Sequence, residues 1–322
     1  MNINHPYILK LNSHSSELTD IDAFDHIGGF DKDYNNALFN FLTEKSRRHV
    51  IRSEYIFDDK IKKVYPNFDF VFDIKQCIKG NCFNQFLNYK KPETQFNYEN
   101  FICSFNNSDH VGRQLLTSIL NNQGVFDPNY SSKNFSCSND RVTGHLHRMD
   151  LTQDEIRFYE KFFINPDFFN DNQYFFGDNI STSQTDHCKN LRFLYSKISQ
   201  SFLHVVSETM ATSYYPFITE KFLYSVVCQG LFLVYGHPNW YQHLEKYYGF
   251  KKYDKIFDYS FDSIKNPVKR LLKLVEMIMK FENLSFDDWR DLYLIEQDAI
   301  NYNHNHYFSG DYLKFLEKFS NV

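Results

Sequence analysis

The stretch from Phe202 to Gly249 constrains the fold most, because its hydrophobic period switches repeatedly between that of a strand and that of a helix. Phe202–Val206 is short, apolar and β-branched, which predicts a buried strand. Thr219 can cap a helix that opens at Glu220-Lys221 and carries Phe222, Leu223, Val226 and Val227 on one face, with Gly230 as its stop. Leu231–Tyr235 is a second buried strand, closed by Gly236-His237-Pro238. Asn239 can cap a further helix through Tyr248, stopped by Gly249. Strand, helix, strand, helix is the pattern of a parallel sheet with crossover helices, and so of the α/β class.

Ligands of such sheets lie beyond the carboxyl ends of the strands. Glu208, Thr219, Glu220, Lys221 and Gly236 all fall there. Lys221 in a first turn opposes the helix dipole, and a bound anion is one reason to accept that. A helix start offers unpaired N–H groups to phosphate, and Glu220 can accept hydrogen bonds from a ribose. The residues therefore fit a sugar nucleotide or another phosphorylated ligand. The plain alternative is a surface helix start with an ordinary Glu-Lys pair.

The runs Val205-Val206-Ser207-Glu208-Thr209 and Pro216-Phe217-Ile218-Thr219-Glu220-Lys221-Phe222, followed by Gly230–Phe250, resemble the donor-binding half of α-1,3-fucosyltransferase-like glycosyltransferases, most of all their soluble microbial and viral branch. The similarity continues through Lys255–Asp262 to Pro267. The resemblance implies a GT-B fold: two Rossmann-like domains facing each other across a cleft, with a C-terminal helix at Asp311–Phe319 crossing back. It implies an acceptor-side domain over 1–180 and a donor-binding domain over 181–322. It also implies inverting, metal-independent transfer of a sugar, with a nucleotide-diphosphate sugar as co-substrate and no cofactor. Glu220 and Lys221 then meet ribose and diphosphate, with Glu208 and Thr219 beside them. Phe217 stands where the family has Tyr, and Val206-Ser207-Glu208-Thr209 where it has an F-E-N-S block, so the donor's base and sugar stay open.

A strand at Phe101–Phe105, a polar turn, a helix at Arg113–Asn122, a Gly124 stop and a strand at Tyr130–Phe135 resemble another block of the family, with His110 and Arg113 nearest its basic residues. Arg113 is read either as a helix-surface residue or as one reaching a phosphate or the acceptor. Inverting transfer needs a base for the acceptor hydroxyl and positive charge for the departing diphosphate. Asp109 and His110 are the candidates for the base. Lys221, Arg113 and Arg192 are the candidates for the charge.

Length and composition set the remaining bounds. A chain of 322 residues fits two domains. Aromatics make up 19%, with 35 Phe and 23 Tyr, and Gly and Pro are sparse, a bias that fits an A/T-rich genome of the kind found in many marine bacteria and their phages. The net charge of −5 argues against general binding to nucleic acid. Cys77, Cys82, Cys103, Cys137, Cys188 and Cys228 form no C-x-x-C pair, so buried free thiols and a cytoplasmic location are expected. No apolar run reaches the ~20 residues that span a bilayer.

Along the rest of the chain, Ile8–Leu11 predicts a strand, Asp33–Ser46 a helix, Val64–Ile74 a strand or pair of strands, Thr152–Phe163 and Asn190–Gln200 helices, Lys255–Phe257 a short strand and Val268–Phe281 an amphipathic helix. Asp258 and Asp262 are expected to hold the loop and cap that follow. Asp20-Ile21-Asp22 has the Asp-x-Asp form that binds a metal in another glycosyltransferase architecture, but it reads as a solvated loop. His145/His147 and His304/His306 have the spacing of ligands on a strand without a third partner, so no metal is assigned. Three functions remain: glycosyl transfer to a glycan, transfer to modified bases of viral DNA, and non-catalytic binding on the same fold.

Overall fold

The computed structural model describes residues 11–12, 18–22, 48–53, 56, 68–80, 83–89, 97–106, 111–133, 152–154, 156–157, 187–208 and 218–320. Its centre is a parallel sheet of β5 (Asn100–Cys103), β8 (Ser201–Ser207) and β9 (Leu231–Tyr235). Ile102 lies opposite Leu203, and Leu203 in turn opposite Leu231. Every residue of β8 and β9 is buried, which is why both read as continuous apolar runs: a parallel strand covered on both faces has no polar side.

After Ser104 the chain continues as β6 (Phe105–Asn106), which pairs in parallel with β7 (Ser132–Lys133). The Phe105 ring lies 5.0 Å from His204 of β8. Helix α2 (Val111–Asn122) lies between β6 and β7 in the chain, α3 (His187–Ser199) leads into β8, and α4 (Leu223–Cys228) leads into β9. Helix α3 packs on β8 and on α4, and α2 also touches β8. Asn100–Cys103 thus shares a sheet with strands beyond residue 180, so this sheet crosses the expected domain division.

A second sheet joins β1 (Leu11–Asn12), β2 (Leu18–Asp22), β3 (Arg48–Ser53) and β4 (Phe68–Phe72) in that order, antiparallel at the first pair and parallel at the others. Helix α1 (Ile74–Gly80) follows. Beyond β9 come α5 (Trp240–His243), a π-helical turn at Leu244–Tyr248, α6 (Pro267–Met279), α7 (Phe286–Ile295), α8 (Gln297–Phe308) and α9 (Asp311–Ser320). Helix α9 packs on the π turn and also on β4 and α1, so the C-terminal helix does return to the early part of the chain. Aromatic side chains make that junction. Phe83 stacks on Tyr248 at 5.1 Å and meets Phe222 edge-on at 6.1 Å, and the Tyr307 hydroxyl donates to the Phe83 carbonyl at 2.7 Å.

Several expectations need correction. Lys255–Phe257 is a turn: the Lys255 N–H goes to the buried Glu296 carboxylate at 2.6 Å, and the Phe257 N–H to the Tyr253 carbonyl at 3.0 Å, so no ladder forms. Asp20 and Asp22 lie in strand β2 and not in a loop. The strand within Val64–Ile74 ends at Phe72, and Ile74 opens α1. The strand within Tyr130–Phe135 is confined to Ser132–Lys133 among the described residues. His304 and His306 sit on helix α8, where alternate residues diverge: His304 faces the Val226 carbonyl and His306 that of Tyr248. Asp33–Ser46, His145 and His147 lie outside the described residues, as does most of Thr152–Phe163. Among the described residues Cys77, Cys103, Cys188 and Cys228 form no disulfide. Among the described residues no helix is long and apolar enough to cross a membrane.

Candidate functional site

The carboxyl edge of β8 and β9 gathers Glu208, Thr219, Glu220 and Lys221 into one cluster. Glu208 follows β8 directly, and its N–H donates to the Tyr235 carbonyl at the end of β9, which pins it to that edge at 2.9 Å. Its side chain is wholly buried. One carboxylate oxygen accepts from the Thr219 N–H at 3.0 Å and the other from the Thr219 hydroxyl at 2.6 Å. The Lys221 ammonium donates to Thr219 Oγ1 at 2.8 Å and stands 3.6 Å from Glu208 and 3.8 Å from Glu220. Two carboxylates flank one ammonium, so the cluster carries a formal charge of −1. Lys221 keeps 22% of its side-chain surface open and Glu220 15%, so these two are the cluster's accessible groups.

The local structure differs from a simple capped helix. Residues Glu220–Phe222 form a single 3-10 turn ahead of α4, and Thr219 makes no side-chain cap because its hydroxyl is committed to Glu208. Helix α4 ends at Gln229, in the left-handed region at φ 54°, one residue before the glycine expected to stop it. Asn239 likewise makes no side-chain cap and has φ 62°. The start of α5 is held from a distance: Asp262, buried, accepts from the Tyr241 N–H at 3.0 Å. Burial raises the Asp262 carboxyl to about 6, although the N–H groups it accepts and the nearby Arg270 oppose the shift.

Gly236 shapes the edge through packing. A Cβ there would sit 2.5 Å from Trp240 Cδ1, so only glycine lets the indole cover the strand end. Its carbonyl accepts from Arg270 Nε at 3.0 Å. Arg270 is buried in the first turn of α6, donates also to the carbonyls of Ile264 and Lys265, and lies 5.7 Å over the Tyr235 ring. Sequence reading missed it. The signal was present: like Lys221, it is a cation near a helix start, where the dipole disfavours it. His237 is buried and neutral, its pKa held well below the ordinary value by burial and by His243; its Nδ1 donates to the Pro238 carbonyl at 2.9 Å.

The other expected residues divide. Arg113 is not a helix-surface residue: it is 5% exposed, in the first turn of α2. Arg192 is exposed in the middle of α3 beside Cys188 and Tyr89, and among the described residues no contact joins it to the Glu208 cluster. Asp109 and His110 lie outside the described residues. Among the described residues no group of three or more His, Cys, Asp or Glu side chains is placed to hold a metal. A cavity of about 390 Å³ is lined by Tyr302, Asn305, His306, Asp311, Lys314 and Phe315 of α8 and α9, none of them among the expected binding residues.

The chain matches no protein-family model, no curated protein and no solved structure.

Proposed function

We propose that the chain is a glycosyltransferase that takes a sugar from a nucleotide-diphosphate donor, inverting and without a metal, and passes it to a glycan acceptor. One observation carries this reading: Glu220 and Lys221 are the open members of a preorganised cluster at the carboxyl edge of a parallel sheet, where such sheets hold nucleotides. Glu220 accepts the ribose hydroxyls. Lys221, anchored on Thr219, meets the diphosphate and stabilises it as it departs. Glu208 acts through Thr219 and Lys221 and touches no ligand. The return of α9 to β4 and α1 supports a GT-B arrangement, with the β1–β4 sheet on the acceptor side. Asp109 and His110, which follow β6 in sequence, supply the base that deprotonates the acceptor.

A donor panel tests this: UDP- and GDP-sugars, with release of nucleoside diphosphate followed with and without EDTA. Lys221→Ala is expected to weaken nucleotide binding at least tenfold, about 1.4 kcal/mol; an unchanged affinity removes Lys221 from the site. A second reading, a non-catalytic binding protein, is favoured by the two carboxylates that already neutralise Lys221. Tight binding without turnover of any donor supports it.

A further inference from the structure

The strand order puts β5 on the far side of β8 from β9, and β6 continues β5 after Ser104. The run Asn100–Asn106 pairs in parallel with β8 through β5 and with β7 through β6. Ligands of parallel sheets lie beyond the carboxyl ends of the strands. Asn106 closes β6, as Glu208 follows β8.

Asn106 is wholly buried, and among the described residues its Oδ1 has no hydrogen-bond partner. The neighbouring bonds fix which amide atom this is. Ser104 Oγ donates its only proton to the Val205 carbonyl at 2.7 Å. It can therefore serve Asn106 only as an acceptor, and it takes the Asn106 Nδ2–H at 3.0 Å. With Nδ2 bonded to Ser104, the atom left over is the carbonyl oxygen Oδ1. Ser104 is itself held by its N–H on Ser131 Oγ at 3.1 Å, so the amide is locked in this orientation. Its register partner on β7 is Lys133, and Arg113 stands in the first turn of the following helix; both are buried. A buried carbonyl without a donor is costly, by roughly 1–3 kcal/mol, and native proteins keep such groups where something else completes them.

We propose that Asn106 Oδ1 is a ligand contact: it accepts a hydrogen bond from a hydroxyl of the ribose or of the transferred sugar of a nucleotide-sugar bound at the carboxyl end of β6. The group it takes must be a donor. Ionised diphosphate oxygens only accept, so the diphosphate cannot complete it, whereas a sugar hydroxyl can. This rests on the nucleotide-sugar reading above and extends the site to β6.

The test is calorimetric binding of UDP-glucose, GDP-mannose and GDP-fucose, with free UDP and GDP, to the full chain and to Asn106→Leu. The leucine keeps the volume and removes the acceptor, so the melting temperature is expected to hold or rise, while affinity for the bound donor falls at least tenfold. Equal weakening of the free nucleotide assigns the contact to ribose; weakening of the sugar nucleotide alone assigns it to the transferred sugar. Asn106→Ala serves as the smaller variant should leucine disturb folding. Wild-type affinity in a folded variant overturns the proposal and leaves a buried water as the partner of Oδ1, with the nucleotide-sugar reading intact. Failure of the unaltered chain to bind any of these nucleotides removes both.

Discussion

Replacing Glu208 with glutamine separates a ligand contact from an anchor. The structure assigns the carboxylate three duties: it accepts the Thr219 N–H at 3.0 Å, accepts the Thr219 hydroxyl at 2.6 Å and faces Lys221 at 3.6 Å. Glutamine can keep the first. Its amide then directs N–H toward a threonine oxygen that already accepts from Lys221, so the hydroxyl proton loses its acceptor, a loss of about 1–2 kcal/mol. The ion pair goes as well. At 3.6 Å, unit charges attract by roughly 5 kcal/mol at an effective dielectric constant of 20 and by roughly 1 kcal/mol at that of water. Full burial of Glu208 and partial exposure of Lys221 place the pair between these limits, and desolvation of the carboxylate offsets part of it. A net loss of about 2–3 kcal/mol follows. For a chain of this size that lowers the melting temperature by roughly 3–5 °C. Thermal and urea unfolding read it directly. A double-mutant cycle with Lys221→Met should give a coupling of about 1–2 kcal/mol. Unchanged stability of Glu208→Gln, or zero coupling, would refute the anchor and return Glu208 to direct contact with the ligand.

Two further outcomes follow from the same edge. Burial raises the Asp262 carboxyl to about 6, so the folded chain keeps a proton that the unfolded chain releases near pH 4; stability should fall as pH rises from about 4 to 6, by up to about 3 kcal/mol from this group. Asp262→Asn should flatten that segment of the melting temperature against pH, and a slope equal to that of the unaltered chain would count against the assignment. Gly236→Ala sets a methyl 2.5 Å from the Trp240 ring and should lower stability by about 1–3 kcal/mol, seen in urea unfolding together with increased exposure of tryptophan fluorescence. Equal stability would mean the indole can step aside.

The parts of this fold that were legible in sequence are those with local causes. Leu231–Tyr235 is buried throughout and coincides with its apolar run, and Pro267 opens α6 with Asn266 as its cap, as proline chemistry requires. What escaped depends on distant partners. Thr219 and Asn239 look like caps, yet the first is taken by Glu208 and the second is displaced by Asp262, more than twenty residues away. Lys255–Phe257 has the composition of a strand, but Glu296 draws its N–H groups into a turn. The Glu208, Thr219, Glu220 and Lys221 cluster was foreseen as residues, although not its internal bonding, because side-chain pairing across loops leaves no periodic trace. Arg113 gave no sign of burial, since its helix carries a polar neighbour, Gln114, that is buried with it.

The pairing of Asn100–Cys103 with Ser201–Ser207 reaches beyond topology. Division of the gene product at residue 180 would strip β8 of one neighbour and leave its N–H and C=O groups on that side bare, on a strand that carries Phe202, Leu203, Val205 and Val206. Such a fragment invites self-association before it can serve any purpose. The two halves therefore cannot be traded as cassettes between proteins unless β5 travels with the second half.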